Sequence, residues 1–131
     1  MKLLNRHTDY AVQALCEIAK SGERLPVREL CLKLDTPYPF LRGVLQRLAK
    51  HGFVKSVKGK TGGFTLARPA KNITLYDLIE VLYSLPDSNH CKLRKRPCPK
   101  QKYCTLKKRL IVVENKMKQE LRSATIATLI A

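Results

Sequence analysis

A mainly α chain with one small β-hairpin is the fold class this sequence predicts, and three features predict it. Apolar residues recur at three- and four-residue steps through most of the chain; residues 53–67 alone switch to alternation around a cluster of glycines; and a last apolar stripe, from Leu106 onwards, follows a stretch rich in lysine and cysteine. At 131 residues the chain has room for one core of ordinary size and not for two.

The first helix covers about residues 8–20, with Ala11, Val12, Leu15, Ile18 and Ala19 on one face and a stop at Ser21 and Gly22. Cys16 borders that face and belongs with the core. After Pro26, the residues Val27, Leu30, Cys31 and Leu34 take the i, i+3, i+4, i+7 spacing of a short second helix, which makes Cys31 a small buried hydrophobe. Thr36 then offers a cap and Pro37 a first helical position. Leu41, Val44, Leu45 and Leu48 form the buried stripe of a third helix that closes at Gly52. Two short helices across a tight turn make a helix-turn-helix.

Residues 53–57 and 63–67 read as two short strands around a glycine-rich tip that carries lysines. A helix-turn-helix followed by a basic hairpin is a winged helix. Charge agrees, since residues 36–76 hold eight Lys or Arg and no Asp or Glu. With the leucine stripe inside, Tyr38, Arg42, Gln46 and the edge of Gly43 are left facing outward, towards a major groove. Arg42 suits guanine and Gln46 adenine, the usual bidentate matches. Lys55, Lys58, Lys60 and Arg68 belong on or beside the wing, where phosphate or minor-groove contact is expected. Gly43 costs a helix interior about 1 kcal/mol relative to alanine; it either permits close approach to DNA or is simply tolerated.

Thr74 and Asp77 start a fourth helix with a capping-box-like pair, and Leu75, Leu78, Ile79 and Leu82 give its apolar face up to Pro86. Beyond Cys104, the residues Leu106, Leu110, Val113, Met117, Leu121 and Ala124 recur at helical steps. A helix of about 25 residues would be about 40 Å long, more than a compact winged helix has surface to cover. A homodimer is therefore expected, with the apolar end, residues 124–131, buried against the partner subunit.

Residues 91–104, CKLRKRPCPKQKYC, carry chemistry rather than packing: three thiols without apolar periodicity, and nine Lys or Arg with no acid from Cys91 through Arg109. That positive field favours thiolates, the form that binds metal or reacts. A net charge of +16 and a pI near 10.0 point to a polyanionic partner, nucleic acid before membrane surface. No apolar run suits a signal peptide or a membrane span, so the cytoplasm is the expected compartment, and five cysteines there indicate metal or redox chemistry before disulfides. An enzyme is not expected, because no Cys-x-x-Cys pair and no nucleophile with a positioned base is present. Structural zinc is the bland alternative, although gaps of six and five residues between the cysteines are wider than the close pair that zinc sites typically show.

The order of these parts resembles the Rrf-two (Rrf2) family of bacterial transcription regulators. The resemblance rests on DYAV at 9–12, LRGVLQRL at 41–48, GFVKSVKGKTGGFTLAR at 52–68, ITLYD at 73–77 and the three cysteines before a long helix, and it covers nearly the whole chain. Members include regulators of iron–sulfur assembly, nitric-oxide-sensing repressors and a repressor of cysteine metabolism. The resemblance implies a homodimer that binds a two-fold operator in double-stranded DNA and carries one iron–sulfur cluster, 2Fe-2S or 4Fe-4S, per subunit. It implies Cys91, Cys98 and Cys104 as ligands. A cluster usually takes four ligands. Some members use a histidine three residues after the last cysteine, where this chain has Lys107; others use an acidic residue of the first helix, where this chain has Asp9. His90 and His7 are weaker candidates. Together these expectations divide the chain into a DNA-binding winged helix-turn-helix at 1–85, a cluster-binding loop at 86–105 and a dimerisation helix at 106–131. The function expected is a regulator, most simply a repressor, whose operator affinity follows cluster state.

Overall fold

The computed structural model describes residues 5–59, 62–82 and 104–131. Lys60, His90, Cys91 and Cys98 lie outside them. The described elements are six α-helices, one 3-10 turn and a two-stranded hairpin. In chain order they are α1 (Arg6–Ser21), α2 (Val27–Leu34), α3 (Tyr38–Lys50), β1 (Val54–Val57), β2 (Gly63–Leu66), the 3-10 turn (Ala70–Asn72), α4 (Leu75–Leu82), α5 (Thr105–Ser123) and α6 (Ile126–Ile130).

One apolar core joins them. Ala11, Ala14, Leu15 and Ile18 from α1 meet Leu30, the α3 stripe Leu41, Val44, Leu45 and Leu48, then Phe53, Phe64, Ile73, Leu78 and Ile126. The stripe anticipated on α3 is therefore the one that is buried. Cys16 and Cys31 are half-buried and packed against this core. Burial raises both thiols above the ordinary cysteine value; at Cys16, Lys20 partly opposes the shift and Glu17 adds to it.

Asn5 caps α1, its side-chain oxygen accepting from the Thr8 N–H at 2.8 Å, and Gly22 closes the helix in the left-handed region at φ 66°. The helix-turn-helix corner is made at Asp35, with φ 48°, a conformation that Asp tolerates better than most residues. The α3 helix then begins one residue later than its sequence suggests. Pro37 is the cap, and the Thr36 hydroxyl turns back to donate to the Leu34 carbonyl at 3.0 Å.

The hairpin is antiparallel, pairing Val54 with Leu66 and Val57 with Gly63. It is sewn to the helices by Leu25, which exchanges two 3.0 Å backbone hydrogen bonds with Phe64. Gly63 permits this approach, because a Cβ there would run into the Leu25 carbonyl. The cap pair read at Thr74 and Asp77 is present in both directions, at 3.4 and 3.1 Å.

The C-terminal segment differs from the single long helix expected. α5 stops at Ser123, Ala124 is extended, and Thr125 starts α6 with a reciprocal capping box to Thr128. Thr125 wins over helix continuation because its hydroxyl satisfies the Thr128 N–H at 3.1 Å, while Ile126 gains complete burial. Ile126 is thus buried in its own protomer and not against a partner. Backbone bonds from Leu75 N–H to the Ala124 carbonyl and from Ile126 N–H to the Ile73 carbonyl, both 2.9 Å, fix the turn. No described helix is long and apolar enough to cross a membrane.

Candidate functional site

Burying one stripe of α3 leaves its opposite stripe outside. Tyr38, Arg42 and Gln46 are all exposed there and form one wall of an open groove of about 710 Å³. Its other wall comes from the hairpin, through Ser56, Gly59, Gly62 and Gly63, and its end from Arg28 of α2. Arg42 rests with its guanidinium carbon 6.0 Å from the Tyr38 ring centroid, so the aromatic helps to aim the cation. Lys55 and Lys58 are exposed on and just beyond β1. The arrangement is a cationic groove between a helix and a hairpin. It can take a phosphodiester backbone on its rim and a base edge on the floor where Arg42 and Gln46 stand.

Arg68 makes contacts within the fold that its sequence reading does not include. Arg68 follows β2, but its guanidinium stacks on Phe53 at 4.5 Å and donates to the Gly52 and His51 carbonyls at 3.3 and 3.4 Å. It closes the end of α3 and fixes the wing to it, so its donors serve the protein's own backbone. Arg28, in contrast, escaped the sequence reading although it borders the same groove. The available signal was a basic residue in the first turn after Pro26, at the end of α2 that opens towards the groove. Gly43 has open space around the position of a Cβ, so the fold itself does not require glycine there.

At the sensory end the described residues hold two of the expected ligands. Asp9 is exposed on α1, one carboxylate oxygen accepting from Gln13 Nε2 at 3.0 Å. Cys104 is half-buried at the cap position of α5. His7 stacks on Phe40 at 4.9 Å in a cluster with Tyr10 and Arg6, a packing role. No group of three or more His, Cys, Asp or Glu side chains able to hold a metal is assembled among the described residues. Of these two donors the Cys104 thiol is of the type that ordinarily ligates an iron–sulfur group, and the Asp9 carboxylate is the donor that the family resemblance adds.

The α5 helix presents its apolar side to solvent. Leu106, Leu110, Val112 and Val113 are 52%, 46%, 42% and 52% exposed, and the residue of α5 that is buried is Glu114. Its C-terminal turn is held differently, with the Arg122 guanidinium 4.3 Å over the Tyr76 ring.

Residues 4–131 match the family model of Rrf2, described as an iron-dependent transcriptional regulator. The chain belongs to the Rrf2 family. A relative in Aquifex aeolicus is 39% identical over 90 residues, which cover 68% of this chain and 62% of that protein. The transcriptional regulator IscR of Cereibacter sphaeroides is 33% identical over 85 residues, 62% of this chain and 55% of the relative. The chain thus spans less than two thirds of either protein. Among solved structures, T. potens IscR superposes with a TM-score of 0.75 at 25% identity, over 97% of this chain and 85% of that one. CymR of B. subtilis, titled the global cysteine regulator, gives 0.78 at 21% identity over 97% and 95%, a likeness of fold. The chain thus has the winged-helix fold of the Rrf2 family, and the Aquifex aeolicus and Cereibacter sphaeroides relatives are both named as transcriptional regulators.

Proposed function

We propose that this Rrf2 protein is a homodimeric repressor, acting in the cytoplasm, whose affinity for a two-fold operator is set by an iron–sulfur group held by Cys91, Cys98, Cys104 and Asp9. The observation that carries the DNA half is the groove in which Tyr38, Arg42 and Gln46 face the hairpin. What supports the sensing half is the cysteine spacing, the Cys104 thiol at a helix start and the iron dependence named for the family. What supports the dimer is the exposed apolar side of α5. Such a group, when bound, supplies reversible electron loss and reactivity towards oxygen or nitric oxide.

The chain's own residues divide the work. Arg42 and Gln46 read base edges, while Lys55, Lys58, Lys60 and Arg28 neutralise phosphates. Arg68 holds the wing at a fixed angle to α3. Lysines and arginines around the cysteines offset the negative charge that four anionic ligands would gather. Asp9 keeps one oxygen for Gln13 and has the other to offer as a ligand.

Anaerobic purification with an absorbance spectrum and iron and sulfide analysis tests the reading. Brown protein with matching iron and sulfide, and an altered spectrum in Asp9→Ala, is the expected result. Colourless protein with stoichiometric zinc would leave a winged-helix DNA-binding protein with a structural metal and no cluster sensing. Arg42→Ala should cost about 1–3 kcal/mol of operator binding and relax specificity at one position, whereas Lys58→Ala should lower the salt slope by about one while affecting all sequences alike.

A further inference from the structure

Two carbonyls in the last described residues of α4 accept from side chains elsewhere: Arg47 of α3 donates from Nη2 to the Val81 carbonyl at 3.0 Å, and Asn5 at the start of α1 donates from Nδ2 to the Leu82 carbonyl at 3.3 Å. Asn5 is engaged at both ends, since its oxygen accepts from the Thr8 N–H and the Thr8 hydroxyl, each at 2.8 Å. The other end of α4 is pinned to the α5–α6 turn through Leu75 and the Ala124 carbonyl, and through Tyr76 under Arg122. The first cysteine of the cysteine-bearing stretch, Cys91, follows Leu82 by nine residues in sequence.

We infer that Arg47 is a positioning residue which, with Asn5, couples the end of α4 to the recognition helix, so that whatever the cysteine-bearing stretch binds is felt at Arg42 and Gln46. The inference rests on the sensing reading above. Its physical basis is the geometry of the guanidinium fork. A hydrogen bond at 3.0 Å is lost once the carbonyl retreats by little more than half an ångström, so a small displacement of Val81 either drags α3 with it or releases it. Arg47 shares α3 with Arg42 and Gln46 but lies outside their groove lining, and its donor points to α4. The neighbouring Leu82 carbonyl ties α4 to Asn5 at the start of α1, the helix that carries Asp9, so α1 and α3 are both joined to α4 at adjacent residues.

Operator affinity is to be measured for metal-loaded and metal-free protein in the wild type, in Arg47→Met, which keeps the aliphatic bulk without the donors, and in Asn5→Asp, which keeps the α1 cap but loses the donor to Leu82. A second readout needs no metal: mass-spectrometric alkylation of Cys104 in the metal-free protein with and without operator DNA, since coupling between two sites is reciprocal. The expected result is that the loaded-to-free affinity ratio shrinks about tenfold in each variant, and that operator DNA alters Cys104 alkylation in the wild type but not in Arg47→Met. An unchanged ratio and unchanged alkylation response in both variants, with a wild type that does switch, overturns the inference alone. Loss of affinity in both states by the same factor, with a smaller salt slope, makes Arg47 a phosphate contact and also overturns it. A wild type that holds a cluster yet binds DNA equally in both states overturns the sensing reading, and this inference with it. Should Arg47→Met fail to fold, Asn5→Asp carries the same two outcomes.

Discussion

Gly43 isolates the demand of DNA from the demand of folding. A Cβ there meets nothing within the chain, so Gly43→Ala is expected to stabilise the folded protein by about 0.5–1 kcal/mol in thermal unfolding while weakening operator binding in a mobility-shift assay. Equal binding would remove any role for close approach. The thiols make a second residue-scale prediction. Burial raises the pKa of Cys16 and of Cys31, so the folded chain holds their protons more tightly than the unfolded chain. That contribution is complete below the unfolded thiol value of about 8.5 and is lost as pH rises through the folded value. Urea unfolding of reduced protein across the alkaline range should therefore show a flatter pH dependence for the double variant Cys16→Ala, Cys31→Ala. At this scale the sequence was legible where periodicity decides the side a residue faces, as for Arg42 and Gln46. It was not legible for Arg68, because a basic residue after a basic hairpin gives no sign that Phe53 and two backbone carbonyls will claim it.

Elements were read well where one apolar stripe has a single place to go. The α3 stripe and the hairpin register follow from local pattern, and the wing glycines fall where backbones crowd. Gly63→Ala is expected to destabilise by about 1–3 kcal/mol, the cost of forcing a methyl against the Leu25 carbonyl, and to reduce DNA binding through a displaced wing. Denaturant unfolding alongside operator titration checks both. Element boundaries near threonine were less legible. A helical apolar rhythm continues through Thr125, and only the side-chain bond to Thr128, together with the place that the core keeps for Ile126, ends α5 where it does.

For the whole molecule, the exposed leucines and valines of α5 set the expectation. The double variant Leu110→Glu, Val113→Glu should sediment as a monomer where the wild type is a dimer, and should lose at least about a hundredfold in operator affinity as two half-sites cease to be bound together. Composition is what points to a polyanionic partner, through a net charge of +16 and the absence of any acid from residue 36 to residue 76. What composition could not foretell is where the chain closes on itself. The α6 helix packs on α1, and Ile126 completes a core begun at Ala11. A ribosome making this protein would therefore release a recognition helix and a wing long before their foundation is finished. The core beneath the groove is complete only when residue 126 has been synthesised, after the whole of α5 has been made.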